Sequence, residues 1–423
     1  MKQILFMSLL LCLCITQLLW SQEELREVRD GFESKLTQKF EVEPGGLLEI
    51  RSVSGDVSVE TWNKNLVQIE EKCTFDAFTK TEAQEILKRI RTSYEKVGNT
   101  IRIERKEISR SRIHSNFDII VPYTFDLQIE TAGGDLTTRN IKGTIELQTR
   151  GGDINLTQID GNVEASSAGG TIKLESGTGE ANLSTAGGDI ELKDVKGPVK
   201  AKTAGGDIEI HIVKSNVIAK TAGGDIQLEK IDGDIQAGTA GGSIEVEQCT
   251  GSLEAKTAGG DIDVGHIKGN TKARTSGGDI EMNDSEGGVE TETSAGDITL
   301  NDIRGFIEAR TSAGNIEAKM TLTDFSKDHH VSMETSAGNL MLYLPEKLPA
   351  TIQATIRKSR QWSDYAITSD FPLSYSESDD ENQGRKAKYI IRSTGDINGG
   401  GDLIKLETWE GNIQIRKLEG AKK

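Results

Sequence analysis

Between Leu127 and Lys319, hydrophobic residues fall in two short alternating runs that return every 18 residues. Counted from the Thr or Ser that opens each unit, positions 6 and 8 are aliphatic, as in Ile190 and Leu192, Ile208 and Ile210, and Ile226 and Leu228. Positions 15 and 17 repeat the alternation with a smaller second residue: Val199 and Ala201, Val217 and Ala219, Ile235 and Ala237. Position 11 adds one more apolar group, at Val195, Val213, Ile231, Ile267 and Ile303. Alternate side chains of a strand point to opposite faces, so each unit reads as two short strands that send positions 6, 8, 15 and 17 inward.

The phrase that opens each unit is Thr-Ala-Gly-Gly-Asp-Ile. It starts at Thr131, Thr149, Ser167, Thr185, Thr203, Thr221, Thr239, Thr257, Thr275, Thr293 and Thr311. One unit has too little apolar surface to fold alone, but stacked units bury each other's aliphatic rows and pair their backbones at ~4.8 Å per coil. At that spacing the eleven coils predict a rod on the order of 50 Å long. The expected fold is all-β: a β-solenoid (β-helix) of 18-residue coils over residues 127–319. The paired glycines, and the glycine or small residue at position 13, fit turns that need positive φ.

The flanks lose this phase. Residues 22–126 predict a small α+β cap. There, Leu47 to Glu60 alternates around Ser54-Gly55-Asp56-Val57, an isolated early copy of the repeat. Thr81-Glu82-Ala83-Gln84 has a capping-box pattern, and Ala83, Ile86, Leu87, Ile90 and Tyr94 share one face, which predicts a helix over about residues 82–96 with Gly98 as its stop. Residues 320–423 predict off-phase coils and an irregular β cap. A twelfth copy at Thr335-Ser336-Ala337-Gly338 comes 24 residues after the eleventh, and the extra residues carry Thr321 to His330. From Gln128 to Lys319 the one aromatic residue is Phe306. The remaining aromatics lie in the flanks, where bulky caps protect a solenoid's open ends.

The first 21 residues read as a signal peptide: Lys2, an apolar run from Ile4 to Trp20, then polar sequence from Gln22. An uncleaved membrane anchor is the alternative, and no later segment is apolar enough to span a bilayer. Neither Cys12 nor Cys14 follows the small residue that lipid attachment requires, and Cys73 and Cys249 are too far apart to suggest a disulfide framework. A net charge of −17 argues against nucleic acid and against direct electrostatic attachment to anionic lipid.

Candidate chemistry begins with the Asp row at position 5, including Asp189, Asp207, Asp225, Asp261 and Asp279. Each Asp is expected to accept hydrogen bonds from the amides of its own turn; a Ca²⁺-binding ladder is the sharper alternative. Paired carboxylates also hydrolyse glycosides, but a catalytic site is one place and these acids recur on every coil. No cofactor is expected. The departures from the repeat are the candidate ligand-binding positions: Phe325, His329 and His330 in the insertion, with the two histidines expected on a surface loop, and Trp362 and Tyr365 in the later polar stretch.

The Ile50-Arg51-Ser52-Val53-Ser54-Gly55-Asp56-Val57 opening, the Thr-Ala-Gly-Gly-Asp-Ile ladder and the closing Ile397-Asn398-Gly399-Gly400-Gly401 segment resemble the bacterial putative-adhesin family, β-strand-repeat proteins of unknown function. The resemblance runs from about residue 40 to the end of the chain, and it assigns no functional residue. It implies an exported, non-enzymatic adhesin or envelope scaffold whose partner is a surface glycan or a protein. The alternatives are a carbohydrate-active enzyme or lectin on a β-helix, and an envelope assembly or stress accessory protein.

Overall fold

The computed structural model describes residues 19–29, 31–90, 92–105, 113–322, 324–360, 364–379 and 389–418. Most of the expected signal peptide therefore lies outside the described residues. Among the described residues the chain forms a β-solenoid with two long sheets of nineteen strands each. Every repeat contributes one strand to each sheet, as Ile208–Val213 and Val217–Lys220 do. Neighbouring coils pair in parallel with a constant offset: Ile190 lies opposite Ile208, and Ile208 opposite Ile226. Positions 6, 8, 11, 15 and 17 face inward, and Ile208, Ile210, Val213, Val217 and Ala219 are all buried. Their rows merge into one core that runs from Phe40 to Ile415.

The repeated phrase is a set of coil-to-coil bonds. Each opening Thr or Ser, buried except for the half-buried Thr239, donates its hydroxyl to the carbonyl of the second glycine of the preceding coil, as Thr203 does to Gly188 at 2.8 Å. The same hydroxyl oxygen accepts from the Gly206 amide at 3.3 Å. These bonds satisfy polar groups that the tight turn buries away from water. The second glycine is required by stacking: a Cβ on Gly206 would come within 2.2 Å of the Gly188 carbonyl oxygen, whereas one on Gly205 would find its nearest neighbour at 3.6 Å.

Positive φ, expected at these glycines, belongs mainly to position 10. Asn140, Gln158, Ser176, Asp194, Ile212 and Asp302 all have φ between 53° and 65° there. The strand kinks at this residue without leaving the first sheet, which lets position 11 face inward beside positions 6 and 8, and non-glycine side chains carry the left-handed conformation.

Both ends are closed by threading. The early copy around Gly55 forms a complete coil, with Gly46–Val53 in the second sheet and Val57–Trp62 in the first. It lies between the first repeat and a coil that follows it in sequence: Val57 pairs with Leu136 on one side and with Phe117 on the other. The far end mirrors this arrangement. Asp402–Trp409 pairs with Val331–Thr335 on one edge and with Ala350–Lys358 on the other. The last coil in sequence is thus next to last in space.

The cap helix spans Lys80–Arg89, earlier and shorter than expected. The capping box is Thr79 with Glu82: the Glu82 amide donates to the Thr79 hydroxyl at 3.2 Å, and the Phe78 amide to the Glu82 carboxylate at 2.9 Å. Tyr94 belongs to the strand Thr92–Val97, which turns at Gly98 (φ 62°) to pair with Thr100–Arg105. A buried polar cluster demands that strand. The Glu71 carboxylate, on the first sheet, accepts from Thr92, Tyr94 and Arg105 on the second. Arg105 also donates to Ser115 at 2.6 Å. Burial and the adjacent Glu71 carboxylate push the Tyr94 phenol pKa well up, so it stays a donor.

Candidate functional site

The Asp row stands in a line at one edge of the first sheet, but each carboxylate bonds the next coil rather than its own turn. Asp189 accepts from the Asp207 amide at 2.9 Å, Asp207 from Asp225 at 2.8 Å, Asp261 from Asp279 at 2.8 Å, and Asp279 from Asp297 at 2.7 Å. Asp225 caps Ser243 in the same way, and the line passes through Asn315 and Asn339 to Asn412. The expected own-turn pattern fails because the stacked coil presents its amide directly above each carboxylate. Among the described residues, no group of three or more His, Cys, Asp or Glu side chains could hold a metal ion.

A second, shorter ladder runs along the opposite turn at position 14. Asn162 caps Glu180, Asn216 caps Asp234, Asp234 caps Ser252 and Asn270 caps Gly288. Beyond Gly288 this ladder stops, and Phe306 and His330 take the next two places. Their rings stack with centroids 4.9 Å apart and planes within 6°. Phe306 also lies against Gly288, where a Cβ would come within 2.0 Å of the ring.

The outward columns of the second sheet are stapled by ion pairs from coil to coil. Lys272 meets Glu290 at 2.7 Å, Arg274 meets Glu292 at 3.0 Å and Arg310 meets Glu334 at 2.9 Å. Beside the aromatic stack these side chains enclose a shallow groove of about 150 Å³ lined by Arg274, Glu290, Glu292, Glu308, Arg310 and Glu334. The outer face of the first sheet is more acidic. Burial, with Glu281 and Asp261 close by, raises the Asp263 pKa. His211 is held between Glu229 at 2.7 Å and Glu209. Its pKa is raised, chiefly by the hydrogen bond to Glu229.

The expected ligand-binding residues do not converge. Trp362 lies outside the described residues. Tyr365 is half-buried against the core, just before Ile367–Ser369, the last strand of the first sheet. Phe325 is exposed in the insertion. His329, expected on a surface loop, is 1% exposed. Its amide donates to the Asp402 carboxylate of the threaded last coil at 2.9 Å, which draws the end of the insertion inward. His330 is half-buried in the aromatic stack, with its ring nitrogens 2.9 Å from Asp328 and 3.3 Å from Glu308. The groove has one sequence signal nearby, the lone aromatic Phe306, placed one repeat after Gly288.

Fold and surface define a class: a two-sheet β-solenoid whose coils are tied by Thr, Gly and Asp ladders and whose outer faces repeat from coil to coil. The family model described as Toastrack DUF4097 matches residues 79–236 and 229–398, and the chain belongs to that family. Among solved structures it is similar to a putative adhesin from Parabacteroides distasonis, at 14% identity over 67% of this chain and 96% of that one, with a TM-score of 0.27. A putative lipid binding protein from the same species shares 16% identity over 73% and 94%, with a TM-score of 0.20. A putative cell adhesion protein from Clostridium sporogenes shares 10% over 94% and 100%, with a TM-score of 0.15. No curated protein sequence matches the chain. No helix among the described residues is long and apolar enough to cross a membrane.

Proposed function

We propose that the chain is an exported, non-enzymatic rod that serves as an adhesin or envelope scaffold and binds a surface glycan or protein through its outer faces. The observation that carries this reading is the unbroken coil-to-coil ladder, in which a Thr or Ser hydroxyl ties each coil to the one before it from Thr149 to Thr335. Such a ladder makes a rigid support and repeats outward side chains at a fixed spacing, the arrangement a multivalent contact uses. The apolar run Ile4 to Trp20 supports export to the periplasm, the outer surface or the medium.

A binding screen of the chain from Gln22 onward, against glycan and extracellular-matrix arrays with and without Ca²⁺, tests the reading. Binding that survives chelation is the expected result, because the Asp carboxylates already accept backbone amides. Calcium-dependent binding would promote the Asp line to a cation site. Silence in both conditions would sink adhesion and turn attention to protein partners inside the envelope, sought by pull-down.

A further inference from the structure

We propose that the rods associate side by side, a lysine patch on the outer face of the second sheet docking on an acidic column of the first sheet of another copy. This rests on the scaffold side of the reading above and names the protein partner as a second copy of the chain. The patch is Lys200, Lys202 and Lys220, set around the exposed Ile218. Their neighbours above and below are Asn182, Ser184, Ile218 and Gly238, and Lys202 stacks directly on Lys220, so no carboxylate stands in register with them. Farther along the same columns the cations do meet acids, as Lys272 meets Glu290 and Arg274 meets Glu292.

The acidic column is the complement of this patch. Glu245 lies between Gln227 and Asp263, and Asp263 between Glu245 and Glu281. Glu247 shares the outward face with Glu245, and one coil on Gly265 leaves that place without a side chain. Like charges in register destabilise a sheet, so each face carries a repulsion that an opposite charge removes. Burial and the neighbouring acids hold the Asp263 pKa up, a sign of that repulsion.

The path of the chain decides how two copies meet. A coil runs one way through the first sheet and back through the second. A copy translated without rotation therefore lays its first-sheet strands antiparallel over the second-sheet strands of its neighbour. At a shift of three repeats, about 14 Å at the usual strand spacing, Lys200 falls over Glu247, Lys202 over Glu245, Lys220 over Asp263 and Ile218 over Gly265. Both columns advance one coil at a time, so the match carries from coil to coil. The same shift places Glu146 over Lys193 and Arg274 over Glu317. It also sets Lys272 over Lys319, but each of these keeps a carboxylate of its own, Glu290 and Glu317.

A foreign polyanion would answer the lysines alone, whereas a second copy answers both columns. The net charge of −17 does not prevent this, because physiological salt screens charges beyond about 8 Å and the facing side chains lie closer. Translation leaves one face of every outer copy free, so the assembly grows as an open row rather than closing as a dimer.

Exposed ion pairs are individually weak, so the test is sedimentation velocity of the full chain over a wide range of protein concentration, at low and high salt. The variants are Lys202→Glu with Lys220→Glu, and Glu245→Lys with Asp263→Lys. Lys88→Glu with Lys347→Glu makes the same charge change as the first pair at exposed lysines in the two caps and is the control. Circular dichroism melts establish that each variant is folded.

Wild type and control should grow in mass with concentration past the dimer, and high salt should dissolve the assemblies. Each of the other two variants should associate at least about tenfold more weakly. Mixed in equal amounts, those two should associate again, because the inverted patch of one meets the inverted column of the other. A wild type that stays monomeric would overturn the docking; if it also bound a sulfated polysaccharide through these lysines, the patch would belong to a foreign polyanion. Folded variants that associate as wild type does, or assembly that stops at a dimer, would overturn it too. None of these results bears on the glycan and matrix screen, whose silence would sink adhesion separately.

Discussion

The repeat and its caps solve the same problem by different means. In the repeat, coils are held by many identical small bonds: each opening hydroxyl reaches a Gly carbonyl 15 residues back, and each Asp carboxylate accepts from the amide 18 residues on. In the N-terminal cap the two sheets are joined by one buried cluster, with Glu71 accepting from Thr92, Tyr94 and Arg105. Distributed bonds tolerate a local loss, because nearest-neighbour terms add along a solenoid. A concentrated cluster does not, because removing one partner leaves a charge buried alone.

Mutations can break that contrast or sharpen it. The largest effect is expected at Glu71→Gln, which leaves Arg105 buried without its counter-charge and should cost about 3–5 kcal/mol in urea titration. A loss below about 1 kcal/mol would show that the cap is not centred on this cluster. Next comes the glycine pair. Gly206→Ala drives a methyl into the Gly188 carbonyl and should cost about 3 kcal/mol, while Gly205→Ala should stay within about 0.5 kcal/mol. Equal costs would refute stacking as the reason for the second glycine.

Thr203→Val keeps the shape and removes both hydroxyl bonds, with an expected loss of about 1–3 kcal/mol. Ile212→Asn should act in the opposite direction. Ile212 is β-branched and held at φ 55°, so replacement by the residue that Asn140 uses at the same position and angle should stabilise by about 1 kcal/mol. A lower denaturation midpoint would show that packing of Ile212 outweighs its backbone strain.

The smallest effect is a pH dependence. The folded-state pKa of His211 is raised, so its contribution is fully present below the unfolded value near 6.5 and is lost as pH rises through the raised native value. His211 is partly exposed, and screening keeps this to a few tenths of a kcal/mol. Wild type should therefore exceed His211→Gln in stability at pH 5.5 by more than at pH 8.5, measured by paired thermal melts. A constant difference would mean the contacts with Glu209 and Glu229 carry no proton linkage.

Much of the coil was legible because its signals are local and repeated. The inward rows at positions 6, 8, 15 and 17 followed from periodicity alone and the structure buries them as read, while position 11 joins them because the left-handed residue at position 10 breaks the alternation. The roles within the turn were less legible. Which amide an Asp caps, and whether a glycine is needed for φ or for clearance, depends on what the coil above places there. The helix boundary moved for a related reason: Tyr94 fits a helical face, but Glu71 recruits it onto a strand. Of the candidate site, Phe325 and His330 were visible as departures from the repeat, while the ion pairs between coils, such as Arg310 with Glu334, join residues that only stacking brings together.

The sequence by itself determined the coil, because an 18-residue period with alternating aliphatics permits one efficient way to bury its apolar rows and satisfy its backbone. Only the tertiary structure decided the order at the ends, where the coil around Gly55 slides in front of the first repeat and the strand Asp402–Trp409 slides beneath Ala350–Lys358. It also decided which charged columns become a groove. Both depend on pairings between segments far apart in the chain, and no local periodicity encodes those.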